Sequence, residues 1–197
     1  MIHLYGWLIV ARHNCRKTLD EIVSHYVGHY RDHARAEMRF FEIQRSPSAA
    51  IQKAALCVLP SGKRHPHQRR IPRAVLELAE ARLQAAAKRI AAASDFAALH
   101  GIVECEIGGI RGIGALTVYD ITHRLGAHFG KVPDLVYLHA GTRTGAAAFD
   151  LGGDSIDPGE LPAAFSRLAP AEIEDCLCIY KDELRGAPRS YRSSCRT

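Results

Sequence analysis

Residues 107–130 read Ile-Gly-Gly-Ile-Arg-Gly-Ile-Gly-Ala-Leu-Thr-Val-Tyr-Asp-Ile-Thr-His-Arg-Leu-Gly-Ala-His-Phe-Gly, a glycine-rich turn between two runs with helical spacing. Gly112 and Gly114 have no Cβ, so the backbone there can turn sharply and stay open to a close neighbour. Ile113 lies between the two glycines and predicts an apolar anchor that fixes the turn to a core. The pattern predicts a helical hairpin whose second helix begins near Ala115 or Leu116.

An anion is a suitable ligand for such a turn. A phosphate can approach the N–H groups of the two glycines closely, and the helix that follows adds unpaired N–H groups and the positive end of its dipole. We expect Arg111 and Arg124 to contribute positive charge. These features predict a contact with the DNA backbone that does not depend on base sequence. The alternative is a helix C-cap combined with a glycine packing site between crossed helices.

The turn resembles the helix-hairpin-helix motif, whose hairpin reads hydrophobic-x-Gly-hydrophobic-Gly. In this chain the motif positions are Ile110, Arg111, Gly112, Ile113 and Gly114. Over residues 95–148 the chain is similar to the helix-hairpin-helix DNA glycosylase superfamily. The resemblance implies a pocket that accepts a base extruded from the duplex. It also implies an aspartate that stabilises the positive charge developing on the deoxyribose as the base leaves.

Asp134 is the first candidate for that aspartate, because it follows Gly114 by twenty residues, an interval similar to that of the family. Family members usually show a Val-Asp-Thr-like step, whereas this chain has Val-Pro-Asp-Leu-Val. Bifunctional members carry a Schiff-base lysine where this chain has Leu116. We therefore expect hydrolysis to an abasic site without lysine-dependent strand cleavage. The alternative role for Asp134 is a helix N-cap after Pro133.

Asp120 is the rival candidate, because it lies at the polar edge of the helix that follows the turn. Its carboxylate would face a cleft, where Tyr119 or His123 would stack on an extruded base or form a hydrogen bond with it. The alternative is an i, i+4 salt bridge to Arg124. The predicted substrate-pocket residues are Tyr119, His123, His139 and Arg143. The last two can equally be a packing residue and a surface residue.

A second basic segment spans residues 62–71, Gly-Lys-Arg-His-Pro-His-Gln-Arg-Arg-Ile, between two prolines. Cations at this density neutralise several phosphates, and each contact makes binding weaker as salt rises. The predicted DNA contacts in this segment are Lys63, Arg64, His65, His67, Arg69 and Arg70. The alternative is a solvated loop. The two histidines are a weak metal signal, and we expect neither a metal nor a cofactor.

His25, His29 and His33 recur every four residues, which would place three imidazoles on one helix face. That spacing can bind zinc. We favour a solvent-facing stripe, because no distant ligand is evident. Glu37 and Glu42 lie among arginines and predict intrahelical ion pairs.

Composition limits the class of protein. The 197 residues carry a formal net charge of +5, excluding eleven histidines, which favours a polyanionic partner. The length and the helical spacing predict one compact, mainly α domain over residues 1–197, with a flexible tail at 186–197. Six scattered cysteines favour reduced thiols in the cytoplasm, and neither a zinc site nor an iron–sulfur cluster is indicated. We expect no signal peptide and no membrane span, and the oligomeric state stays open.

Capping signals and prolines divide the chain into predicted elements. Helices are predicted over 18–44, where Gly28 allows a kink or a break, and over 46–59, 72–93, 94–107 and from 115 to 126 or 130. Further helices are predicted around 135–140, 159–168 and 170–185. Residues 151–159 are predicted to form a loop.

The functional hypothesis is a DNA glycosylase that binds double-stranded DNA and excises a damaged or modified base. The chemistry of the superfamily suggests a hypermodified base of phage DNA, whose removal would defend a host. One alternative is a non-catalytic helix-hairpin-helix module that recruits a partner to DNA. Another is a metal-dependent nuclease that uses the histidine face.

Overall fold

The structure is a computed structural model that describes residues 17–185. The prediction of a compact, mainly α fold is confirmed, since 67% of the described residues are helical and strand is scarce among them. The helices of the described part are α1 (Leu19–His29), α2 (Arg31–Glu42), α3 (Pro47–Ala55), α4 (Arg73–Ala85), α5 (Ala87–Ala91), α6 (Phe96–Ile107), α7 (Ala115–Phe129), α8 (Ala140–Ala146), α9 (Pro170–Ile179) and α10 (Lys181–Arg185). Strands β1 (Val136–Tyr137) and β2 (Ser155–Ile156) pair antiparallel. The predicted tail at 186–197 lies outside the described residues.

Side-chain caps fix three of the predicted helix starts. Thr18 and Glu21 form the predicted capping box at α1, in which the Glu21 N–H donates to Thr18 Oγ1 at 3.2 Å. Ser46 accepts from the N–H of Ala49 at the start of α3, and Asp95 caps α6 in the same way. Each cap satisfies an N–H group that the first helical turn leaves unpaired.

Two long predicted helices are each divided. The helix predicted over 18–44 is interrupted at Tyr30, two residues after Gly28, where α1 ends and α2 begins. The helix predicted over 72–93 is interrupted at Ala86, between α4 and α5. The first interruption has a packing reason, because it lets α1 join one apolar cluster while α2 lies against α7.

The second half of the chain differs more from the prediction. Helix was predicted around 135–140, but Val136 and Tyr137 form β1, as β-branched and aromatic residues favour. The predicted loop at 151–159 contains the partner strand β2. The predicted helix at 159–168 is a pair of 3₁₀ turns, because Pro162 removes a backbone donor between them. The segment 170–185 is divided into α9 and α10 at Tyr180.

The buried apolar residues form two clusters. The first joins α3, α4, α6 and α7 around residues such as Ile51, Leu83 and Ile121, and it includes Ile113 of the turn. The second joins α1, both strands, α8, α9 and α10 around residues such as Val23 and Leu177. None of the helices in residues 17–185 is both long and apolar enough to cross a membrane.

Helices α8 and α9 of the second cluster pack so closely that the contact positions on α8 leave no room for a Cβ atom. A Cβ on Gly145 would lie 2.3 Å from the carbonyl oxygen of Leu177, and a Cβ on Gly141 would lie 2.6 Å from Cys178 Sγ. A backbone carbonyl cannot move aside without shifting its helix. The close approach of α8 and α9 therefore requires glycine at position 145.

We expect Gly145→Ala to lower the free energy of unfolding by about 1–3 kcal/mol, because the added methyl group pushes the two helices apart. Urea unfolding monitored by circular dichroism measures this change. Gly101→Ala is the matched control, since Gly101 is an exposed position of α6 and nothing lies within 4 Å of the added methyl group. This change should stabilise the protein by about 0.5–1 kcal/mol. Equal midpoints for the two variants would contradict the packing interpretation.

Candidate active site

The turn between α6 and α7, residues 108–114, lies at the surface. Gly112 has a φ of +100°, in the left-handed region that favours glycine. Gly114 is extended and directly precedes α7, and nothing lies within 4 Å of the position of its Cβ. Ile113 between them is 8% exposed and packs in the first cluster, as predicted for the apolar anchor.

The turn leaves backbone donors unpaired at the start of α7. Within residues 17–185, no hydrogen bond uses the N–H groups of Gly112, Gly114, Ala115 or Leu116. The flanking glycines are exposed, so the donors are close to solvent. The N-terminal end of α7 therefore has the donors and the dipole direction that an anion requires.

The basic segment 62–71 leads into α4, which contacts the turn. A Cβ on Gly112 would lie 3.8 Å from Val75 of α4. The predicted DNA-contacting cations of this region then fall into two groups. Arg64 is half-buried and donates through Nη1 to the carbonyl of Ile71 at 2.6 Å, so it holds the loop together. The exposed cations without an ion pair to any residue in 17–185 are Lys63, Arg69, Arg70 and Arg111.

Asp120 of α7 is the centre of a hydrogen-bond network with the same loop. Its Oδ2 accepts from His67 Nδ1 at 3.2 Å and also from Gln68 Nε2, while Arg124 Nη2 lies 3.9 Å away. Its Oδ1 accepts no hydrogen bond from the residues the structure describes. The side chain is 14% exposed. One carboxylate oxygen is thus held by donors, and the other has no donor among the described residues.

The network keeps Asp120 ionised. Burial alone would raise the pKa of Asp120, but the hydrogen bond from His67 and the charge of Arg124 outweigh it and lower the pKa to about 2. The same hydrogen bond raises the pKa of His67 above its ordinary value, although burial opposes the change. Asp120 and His67 therefore stabilise each other's charged forms.

Glu37 and Arg124 complete the network from α2 and α7. Glu37 was predicted to pair within its own helix, but its carboxylate lies 3.7 Å from Arg124 and 3.8 Å from His65 Nε2. Arg124 was predicted to add charge to the DNA contact. With its side chain 3% exposed, it instead balances the two carboxylates inside the protein. Glu42 does pair within its helix, with Arg39 at 2.6 Å.

Three of the four predicted pocket residues lie together. The ring of Tyr119, 2% exposed, is 4.7 Å from that of His139 and 5.7 Å from that of His123. Burial lowers the pKa of both histidines to about 4, so both are neutral. His139 is 7% exposed, and neither of its ring nitrogens has a partner within residues 17–185. Arg143 is at the surface and pairs with Asp154 at 2.6 Å.

Asp134 is exposed in the bend that precedes β1. It is not the N-cap of a helix, because the chain enters a strand after Pro133 and α8 begins only at Ala140. Its side chain makes no hydrogen bond or ion pair with the residues that the structure describes. Among the groups near it is Tyr137, whose pKa is raised by burial and by the charge of Asp134.

The sequence analysis missed three polar residues of this region, Gln68, Glu174 and Asp175, together with the hydroxyl groups that bind the two acids. Gln68 is fully buried beside Asp120. Glu174 Oε1 accepts from Thr142 Oγ1 at 2.7 Å, and Asp175 Oδ2 accepts from the hydroxyl of Tyr26 at 3.2 Å. Burial raises the pKa of Glu174 to about 8 and that of Asp175 to about 6. The sequence signal for this pair was the position of two adjacent acids, Glu174 and Asp175, inside the apolar run that forms α9.

The site also contains atoms that can approach a metal. His65, His67 and Asp120 place one ligand atom each within 4.8 Å of one another. However, His65 Nδ1 accepts the N–H of His67 at 3.2 Å, which puts the ring proton of His65 on Nε2. The guanidinium of Arg124 next to Asp120 also opposes a cation. We therefore interpret the cluster as a hydrogen-bond network.

The predicted histidine face is not formed as expected. His25 and His29 stack at 3.9 Å on α1, but His33 belongs to α2 because the helix is interrupted at Tyr30. His25 Nδ1 lies 2.5 Å from the hydroxyl of Tyr180, so this histidine packs against the junction of α9 and α10. The three rings do not share one helix.

The arrangement combines the ionised carboxylate of Asp120, neutral imidazoles and three carboxyl groups whose pKa values burial raises, those of Glu37, Glu174 and Asp175. Such a separation of pKa values is typical of sites that supply both an acid and a base. Comparisons with protein-family models, curated proteins and solved structures found no significant match. The chemistry of the site is therefore inferred from its own residues.

The raised pKa of Glu174 predicts a pH-dependent stability. In the unfolded chain this group ionises near pH 4.5, but in the folded protein it stays protonated up to about pH 8. The folded state therefore binds more protons in this window, and stability falls as pH rises, by up to about 1.4 kcal/mol per pH unit. Glu174→Gln keeps the acceptor for Thr142 and removes the ionisation, so its advantage over wild type should grow between pH 5 and 8.

Urea unfolding at several pH values measures this difference. Glu104→Gln on the exposed face of α6 controls for the loss of one carboxyl group. A Glu174→Gln advantage that does not change with pH would refute the interpretation.

Proposed function

We propose that the protein is a monofunctional DNA N-glycosylase that hydrolyses the N-glycosidic bond of a damaged or modified base and leaves an abasic site. The proposal joins two features of α7. The glycine turn at its start offers unpaired N–H groups to a phosphate, and Asp120 follows Gly114 by six residues. Six residues of helix span about 9 Å, a distance that one bound DNA strand can bridge.

The observation that carries the proposal is the state of Asp120. Its Oδ2 is held by His67 and Gln68, its pKa is about 2, and its Oδ1 has no partner within residues 17–185. A fixed negative charge of this kind stabilises the cationic sugar that forms as a base leaves. We prefer Asp120 to Asp134 in this role, because an exposed carboxylate acts through water, where a charge interaction is several times weaker.

The rings beside Asp120 suit an extruded base. A base stacks on aromatic faces such as that of half-buried His123, and its edge is recognised by hydrogen bonds. The ring of Tyr119 packs behind His123 against Phe96, Tyr137 and His139. The two unpartnered nitrogens of neutral His139 supply one donor and one acceptor for that edge. Leu116 is apolar, and the proposed enzyme therefore has no Schiff-base lysine at this position.

The proposed substrate is a hypermodified base of the kind that phages place in their DNA. This choice rests on the chemistry of helix-hairpin-helix glycosylases. An enzyme of this kind would act in the cytoplasm, where invading DNA is accessible, and would serve in antiviral defence.

Binding to DNA is tested at Gly114, because alanine fits its backbone and meets no atom within 4 Å. We expect Gly114→Ala to weaken binding to a short duplex about tenfold, since the methyl group occupies the space where a phosphate would lie. Fluorescence anisotropy at several salt concentrations measures this effect. Gly101→Ala on α6 is the control and should bind like wild type. Unchanged affinity in Gly114→Ala would exclude the turn as a phosphate site.

Catalysis is tested by Asp120→Asn, which keeps the shape of the side chain and removes its charge. We expect at least a ~100-fold loss of base release, because the main electrostatic stabiliser is lost. Mass spectrometry of bases released from natural and phage DNAs measures the reaction, and circular dichroism checks folding. Asp134→Asn is the matched control and should keep wild-type activity.

Other outcomes would select another function or residue. Loss of activity only in Asp134→Asn would assign catalysis to Asp134. Duplex binding without any abasic product would support the non-catalytic DNA-binding module. Strand breaks that a chelator abolishes would support the metal-dependent nuclease.

A further inference from the structure

We propose that His67 is the general base of this site, with its ring oriented by Asp120 and its Nε2 accepting a proton from the attacking water. This inference rests on the proposed glycosylase function and assigns a second residue to it. The sequence predicted only a phosphate contact for His67. The geometry points to a role in the reaction itself.

The position of His67 is fixed from both sides along the chain. Its N–H donates to His65 Nδ1 at 3.2 Å, within a 3₁₀ turn at Pro66–Gln68. The next residue, Gln68, is fully buried and donates to Asp120. The ring of His67 is therefore held over α7 by its neighbours as well as by its own hydrogen bond.

The two nitrogens of the ring have different surroundings. Nδ1 lies 3.2 Å from Asp120 Oδ2, which accepts only when Nδ1 carries the proton. In the neutral ring, Nε2 is then the basic nitrogen. It has no partner within residues 17–185, and the side chain is 46% exposed. A carboxylate on Nδ1 with a free Nε2 is the arrangement in which a histidine acts as a general base.

The charged groups around His67 come from three helices and from its own loop. The hydrogen bond and charge of Asp120 raise the pKa of His67, while burial and the cation of Arg124 lower it. The charge of Asp175 on α9 also raises the pKa of His67 and is the smallest of these contributions. The charges of Glu37 on α2 and of His67 interact as well. The ring centroid of His65 lies 4.5 Å from that of His67, but burial lowers the pKa of His65 to about 4, so His65 is neutral. The net effect is a base whose pKa is raised above its ordinary value of 6.5, mainly by the hydrogen bond to Asp120.

The reaction balances with water as the only co-reactant. A lone pair of the water oxygen forms the new bond to the sugar C1′, and the water proton passes to His67 Nε2. The electrons of the C1′–N bond leave with the base, which takes up a proton from solvent. The imidazolium then returns its proton to solvent. Asp120 serves through both oxygens, because Oδ2 orients His67 while Oδ1 faces the cationic sugar.

The first test observes the ring without any substrate. Nitrogen-detected NMR of the full-length protein across pH reports the tautomer and the pKa of His67. We expect protonated Nδ1, free Nε2 and a pKa that falls by at least one unit in Asp120→Asn. Glu104→Gln should leave the titration unchanged. A protonated Nε2, or a titration that Asp120→Asn does not move, would overturn the dyad even if the protein excises a base.

The second test separates catalysis from phosphate binding. We expect His67→Gln to lower kcat for base release by about 100-fold or more, with little change in the Kd for duplex DNA. The pH profile of wild-type kcat/KM should fall on the acidic side at the pKa that NMR reports for His67. A weaker Kd at unchanged kcat would overturn the proposal and return His67 to the role of a phosphate contact.

Two further results would contradict the role of His67 together with a premise on which it rests, either the hydrogen-bond network or the glycosylase function. Stoichiometric binding of Zn²⁺ that His67→Gln abolishes would assign the cluster to a metal. An absence of base release from every DNA, with the NMR signature intact, would reject the glycosylase function and thereby the role of His67 in it. That outcome is distinguishable from failure of the dyad, because only the latter changes the NMR result.

Discussion

The half-buried charge of Asp120 is the constraint on which this region depends. A carboxylate in such a place is costly unless donors surround it, and here they come from segments far apart in sequence. His67 and Gln68 bring the basic loop onto α7, and Arg124 supplies the compensating cation. Arg124 in turn draws in Glu37 from α2. One charge thereby joins the loop, α2 and α7.

This constraint also divides the basic loop into two functions. Arg64, His65 and Gln68 turn inward, and His67, although exposed, bonds to Asp120 through Nδ1; these contacts hold the loop on the protein. Lys63, Arg69 and Arg70 remain exposed without ion pairs to the residues that the structure describes. The loop can therefore present charge to a polyanion without losing its place beside Asp120. A fully solvated loop, the alternative from the sequence analysis, would not have residues such as His67 and Gln68 bonded to the rest of the protein.

Local signals made much of the fold predictable, because they act over a few residues. The caps at Thr18, Ser46 and Asp95 and the glycine turn were correctly located from sequence. Strand β1 was missed, since its short apolar run matches a helix as well as a strand until its partner is known. Asp120 was found from its place on a helix. Gln68 was not, because a glutamine in a charged loop carries no sign of a contact 52 residues away.

The distribution of protonation suits the reaction proposed for the site. His139 and His123 are neutral, and Glu174 stays protonated up to about pH 8. The positive charge of Arg124 is already balanced by Glu37 and Asp120. The free Oδ1 of Asp120 is then the group best placed to respond to a new positive charge nearby. A sugar that becomes cationic as its base leaves gains most from such a site, since the stabilising charge is in place before the bond breaks.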